Sequence, residues 1–180
     1  MGADVTHPSP GKIISDLANV VYEHLLIYKK KNNVSPERII FFRDGVFEGH
    51  FEIVVNKEVR DIYQACAKLE PRKEYKPKLT FLVVQKQHHT RLFPAEKKYS
   101  EDKNFNVPPG TVTDTEITYS TALSIQGISR PTKYRKLGGD NYMNEDELEE
   151  LTYHLCHLFT SCTRSVNYPA PTYYAHLGAA

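Results

Sequence analysis

Charge of one sign is the first thing this chain lacks. Its 23 lysines and arginines and 22 aspartates and glutamates leave a net charge of +1 over 180 residues. No molecule-wide field therefore marks a nucleic-acid binder, and any basic surface has to be local. Long apolar runs are also missing. No segment reaches the length of a membrane span, and the N-terminus carries no charged-then-apolar leader pattern. The three cysteines, Cys66, Cys156 and Cys162, show no C-x-x-C spacing. That excludes a disulfide framework and argues against thiolate metal ligation. Buried reduced thiols in a cytoplasmic or nuclear compartment are the expectation. Internal repeats and low-complexity tracts are absent from the sequence.

What is present is the composition of a soluble globular protein, with 40% hydrophobic and 25% charged residues. The length suits one domain, 1–180, with a substantial core. Residues 2–5 read as the end of a strand, stopped by Pro8 and Pro10. Ile14, Leu17, Val21, Leu25 and Tyr28 recur at helical spacing between Ile13 and Lys31, and Lys29, Lys30 and Lys31 favour the negative end of that helix. Arg38 to Phe42 is a short apolar run of the kind buried on both faces of a sheet, and it ends in an Asp44-Gly45 turn.

A second helix carries Val55, Val59, Ile62, Cys66 and Leu69 on one stripe and stops at Pro71. Leu79 to Val84 is again a strand. The alternation predicts an α/β fold with a mixed, mostly parallel sheet flanked by helices, whose sites gather at the carboxyl ends of the strands. Residues 94–110 read as a loop, with short strands near 111–118, 121–127 and 132–137. Asn144 with Glu147 forms a capping signal. The helix it opens is expected to carry Leu148, Leu151, Leu155, Phe159 and Cys162 inward, and Pro169 and Pro171 introduce a last helical turn bearing His176.

Three segments spread along the chain each carry one candidate metal ligand: Asp4, Asp44 and His176. Aspartate and histidine are hard donors suited to Mg²⁺ or Mn²⁺ over a phosphate. As isolated residues they are far better explained by an Asp-Gly turn and a satisfied core histidine. The surrounding words are more specific. GADVTHP, IIFFRDGV, VVQKQHHTRLF, NVPPGT, IQGISRPTKY, LTYHLCHLF, CTRSV and PAPTYYAHL occur in this order, and the chain so resembles the Piwi domain of animal-type Argonaute proteins over nearly its whole length.

The resemblance implies a ribonuclease H-like Piwi fold, guide-RNA-directed silencing, and two Mg²⁺ or Mn²⁺ ions held by Asp4, Asp44, His176 and a fourth, acidic residue. Two such ions activate a water and stabilise the leaving oxygen in phosphodiester hydrolysis. The chain departs from the family pattern where Thr6-His7-Pro8 runs almost directly into Ile13-Ile14. Lys12 stands where the family has a glutamate, and two strands of the family's sheet are missing. A shorter omission precedes Ile125-Gln126-Gly127. These departures predict an internally shortened Piwi domain that is cleavage-deficient, with Lys12 close to the acidic pair and able to bridge to Asp4 or Asp44. Asp16 and Glu23 face solvent or the wrong side of the helix and do not replace the glutamate.

Lys86-Gln87-His88-His89-Thr90-Arg91 packs donors into a short stretch after a predicted strand, where successive phosphates could be gripped. A solvated charged loop fits these residues equally well. By the resemblance, Lys86, His89 and Arg91 contact the seed part of a small guide RNA, and Arg130, Arg164 and Tyr173 line or support the guide channel. Guide and target RNA are the implied partners. Leu25, Leu26, Tyr28, Leu69 and Tyr75 match a region that receives tryptophan side chains of scaffold proteins, although leucines at this spacing more often form core. An active metal-dependent RNA endonuclease, a non-enzymatic interaction module and an inert fragment are the alternative functions.

Overall fold

A computed structural model describes residues 1–5, 13–86, 88–113, 118–120, 128–139 and 143–179. Lys12, Gln87 and the strand expected at 121–127 lie outside the described residues. The sheet contains β1 (Gly2–Ala3), β2 (Arg38–Asp44), β3 (Lys78–Gln85), β4 (Thr111–Thr113), β5 (Thr118–Ser120) and β6 (Thr132–Gly139) in the spatial order β1-β2-β3-β6-β5-β4. β1, β2 and β3 pair in parallel, β6 joins β3 antiparallel, and β5 and β4 continue antiparallel. β1, β2, β3 and β5 thus run in one direction, which gives the mixed α/β sheet that the alternation of elements predicts.

α1 (Leu17–Asn32) and α2 (Phe51–Leu69) make the two crossovers and pack against each other on one face of the sheet. Parallel neighbours need such crossovers, because a tight turn can only reverse the chain. The strands divide their side chains by strict alternation. Ile39, Phe41, Leu79, Phe81 and Val83 join Leu17, Val21, Leu25, Val54, Ile62 and Cys66 in one cluster. Phe42, Leu82, Val84 and Tyr134 face the other way, against Leu148 and Tyr168. Phe41 stacks on Phe81 with ring centroids 5.3 Å apart. Burial of both faces explains why β2 and β3 read as continuous apolar runs.

α1 opens at Leu17 rather than Ile13. Ile13 and Ile14 pack on the core ahead of it, and Asn33 closes the helix in a left-handed conformation with φ 58°. Tyr28, placed by periodicity on the inner stripe, is 42% exposed. In α2 the fully buried line is Val54, Glu58, Ile62 and Cys66, with Val55 and Val59 only partly covered.

α3 (Glu145–Leu155) begins with a complete capping box: Asn144 Oδ1 accepts the Glu147 N–H at 2.7 Å and Glu147 Oε2 accepts the Asn144 N–H at 3.2 Å. It ends seven residues before Cys162, so the expected inward run does not continue to that residue. Phe159 is buried outside the helix, and Cys162 is exposed. Exposure of Cys162 corrects the expectation of three buried thiols; Cys66 and Cys156 are buried. α4 (Ala170–Ala179) follows the two prolines and packs on β1 and β2.

Candidate functional site

The parallel register of β1 and β2 pairs Ala3 with Arg43. The next residue on each strand is an aspartate, so Asp4 and Asp44 leave the sheet side by side at its carboxyl end. α4 lies against β1 and brings in the third residue. His176 Nδ1 is 2.5 Å from Asp4 Oδ2, and the remaining Asp4 oxygen accepts the Val5 N–H at 2.7 Å. The Asp4 side chain is 7% exposed and that of His176 is 44% exposed. The approach of α4 depends on Gly2. A Cβ there would stand 2.3 Å from the Pro171 carbonyl carbon and oxygen and 2.4 Å from the Thr172 nitrogen.

Asp44 is held at several points. Its Oδ1 accepts the Gly45 N–H at 2.8 Å, and Gly45 has φ 78°, a left-handed turn that glycine makes without strain. Its Oδ2 forms an ion pair with Lys86, two residues beyond the Asp44–Val84 register pair of β2 and β3. The Lys86 ammonium also lies 3.8 Å from the centre of the Tyr168 ring. Burial pushes the Asp44 carboxyl above its ordinary pKa; the Lys86 hydrogen bond and charge oppose this, and the nearby charge of Asp4 adds to it. At Lys86, burial favours the neutral amine, but the hydrogen bond and charge of Asp44, with Tyr168, prevail and raise its pKa. The geometry of the contact supports an ionised lysine beside a carboxylate that burial makes costly to ionise.

Beneath Asp44 sits a pair that the sequence reading missed. Arg43 and Glu58 are both 0% exposed, and Arg43 Nε stands 2.9 and 3.1 Å from the two Glu58 oxygens. An Arg43 Nη1–H donates to the Asp44 carbonyl, and Glu58 Oε1 accepts the Ile14 N–H at 3.4 Å. The signal was available: a charged residue follows directly on the apolar Ile39–Phe42 run while still inside β2, and Glu58 falls in helical step with Val54 and Ile62.

Asp4, Asp44 and His176 are hard donors, but as arranged they do not fit a divalent ion. His176 is turned onto Asp4, both Asp44 oxygens are engaged, and among the described residues no group of three His, Cys, Asp or Glu is disposed to hold a metal. Lys86 supplies a counter-charge to Asp44; Lys12, expected in the same role, lies outside the described residues. Asp16 and Glu23 are exposed.

The other candidate residues are distributed as follows. The His88 Nε2 edge lies 2.7 Å from the Pro131 carbonyl, and Arg91 Nη1–H groups donate to the carbonyls of His88 at 3.0 Å and Thr90 at 2.7 Å. These contacts fold the segment onto itself at the end of β3. His89, Arg130 and Arg164 are exposed. Tyr173 stacks on Tyr168 at 5.0 Å and packs against Phe159 at 4.2 Å, so it supports the Lys86 seat. Leu25 and Leu69 belong to the core, Leu26 and Tyr75 are partly buried against it, and Tyr75 donates to the Pro36 carbonyl at 2.5 Å.

Comparison with solved structures finds a similar fold in a crystal structure of the C-terminal lobe of a budding yeast Argonaute, with a TM-score of 0.86 and 31% identity over 96% of this chain. Kluyveromyces polysporus Argonaute with a guide RNA matches with the same TM-score, identity and coverage. Drosophila Piwi matches with a TM-score of 0.77 and 27% identity over 91% of this chain. The chain spans 38%, 23% and 23% of those three chains, respectively. The family model described as the Piwi domain matches residues 1–180. On this match, and with the parallel β1-β2-β3 core that carries Asp4 and Asp44, the chain belongs to the Piwi domain family.

Proposed function

We propose that this Piwi domain binds a small guide RNA in RNA-mediated gene silencing, gripping the backbone of the guide and its target while base pairing supplies sequence specificity. The observation that carries this reading is the 96% overlap with an Argonaute whose structure holds a guide RNA. The donor-rich segment after β3 and the exposed Arg130 and Arg164 supply local basic surface on a chain with a net charge of only +1. A cytoplasmic or nuclear setting is part of the same reading. Cleavage is not: in sequence Lys12 stands where the family has a glutamate, and catalysis by two ions depends on that carboxylate.

The test is RNA binding by fluorescence anisotropy across a salt series. Each phosphate contact contributes about −0.7 to the log–log salt slope on single strands. Replacing Lys86 and Arg91 together by Ala is expected to weaken binding and flatten the slope by roughly 1 to 1.5. An unchanged slope would remove this segment from the RNA surface.

A second reading, a metal-dependent RNA endonuclease, is favoured by the convergence of Asp4, Asp44 and His176. Cutting opposite the guide that is lost in Asp44→Ala would establish it. Docking of a tryptophan-bearing scaffold protein rests on Tyr28 and the partly buried Leu26 and Tyr75, since Leu25 and Leu69 are committed to the core.

A further inference from the structure

Lys86 is seated by three elements. It follows β3 directly, its ammonium meets Asp44 at the end of β2, and its upper face lies under the Tyr168 ring ahead of α4. Tyr168 is itself fixed, 9% exposed and stacked on Tyr173 with an interplanar angle of 18°. A buried carboxylate on one side and an aromatic face on the other form a cation site, in which electrostatic attraction and the ring quadrupole act together. The other Asp44 oxygen is taken by the Gly45 N–H, so no Asp44 oxygen is left uncommitted. A divalent ion binding Asp44 has to approach its oxygens to about 2.0–2.1 Å for Mg²⁺, into the space that the ammonium holds.

We infer that Lys86 is the resident cation of Asp44, and that a divalent ion occupies this carboxylate only by displacing the lysine from its Tyr168 seat. Divalent-ion binding is then a competition between two cations for one aspartate. The chain sets its outcome through Lys86 and Tyr168.

The experiment is a Mn²⁺ titration of the full chain, read by loss of the free-ion electron paramagnetic resonance signal. Lys86→Met, similar in length and uncharged, is expected to bind Mn²⁺ at least tenfold more tightly than the unaltered chain. Lys86→Arg is expected to stay close to the unaltered chain, and adding Asp44→Asn to Lys86→Met is expected to abolish the gain. No gain in Lys86→Met, or a gain that survives Asp44→Asn, overturns the inference. A second measurement needs no variant. In a Mg²⁺ titration of the unaltered chain followed by side-chain carbon NMR, the Asp44 Cγ and Lys86 Cε signals are expected to move together. Movement of Asp44 Cγ with Lys86 Cε unchanged overturns it equally.

Discussion

His176 Nδ1 and Asp4 Oδ2 stand 2.5 Å apart although 172 residues separate them in sequence. The contact exists because α4 crosses β1 at Gly2, where backbone meets backbone with no room for a side chain. Gly2→Ala is therefore expected to push α4 outward. Forcing extra volume into a packed contact costs about 1–3 kcal/mol, and the His176–Asp4 contact should be lost with it. Histidine proton NMR at one fixed pH checks this: the His176 ring chemical shifts in Gly2→Ala should coincide with those in Asp4→Asn.

Asp44 provides a pH prediction. Its folded pKa is raised, chiefly by burial. Between its ordinary value of 3.8 and that higher value, the folded state binds more protons than the unfolded one. Stability contributed by this group is consequently greatest at low pH and falls as pH rises through that window. Asp44→Asn cannot lose a proton, so its stability relative to the unaltered chain should increase with pH and level off once Asp44 is ionised. Urea unfolding from pH 3.5 to 8 measures the difference. A difference that shrinks with pH would contradict the burial argument.

The Arg43–Glu58 pair is expected to behave as one unit. Either Arg43→Met or Glu58→Gln alone leaves a buried charge without its partner, at a cost of about 3–5 kcal/mol. Arg43→Met combined with Glu58→Gln should cost well below the sum of the single changes. A double-mutant cycle in urea reads the coupling, and additive effects would show that the two side chains act separately.

The cysteines should divide into two classes. Burial pushes the Cys66 thiol up to about 11 and the Cys156 thiol up to about 12, the latter partly offset by a hydrogen bond involving Tyr134. Cys162 is exposed. Since the thiolate is the reactive form, a disulfide reagent at neutral pH should label Cys162 quickly and the other two only after denaturation. Peptide mapping of the labelled chain distinguishes the outcomes.

The adjacency of Asp4 and Asp44 was implied by the family resemblance, whereas the parallel core was legible because it depends on local patterns: an apolar run closed by Asp-Gly, and helical stripes between strands. α3's capping box was legible for the same reason. The end of α3 was not, because nothing in Cys156–Cys162 breaks helical periodicity strongly enough to show that Phe159 is buried from a loop. Lys86 was read as a phosphate contact from its basic neighbours. Its bond to Asp44 depends on β2–β3 register and on Tyr168, more than eighty residues away in sequence, and that kind of proximity leaves no mark on a local window.

The closure of α4 over β1 also has a consequence for the order of synthesis. Domains generally fold as units while the chain emerges at about 5–20 residues per second. Asp4 leaves the ribosome well before His176, 172 positions further on, so β1, β2 and β3 can pair before α4 exists. During that interval the two-residue strand β1 is an uncovered sheet edge, and Asp4 has no histidine beside it. The ribosome thus releases β1, β2 and β3 first and completes their carboxylate cluster only with α4.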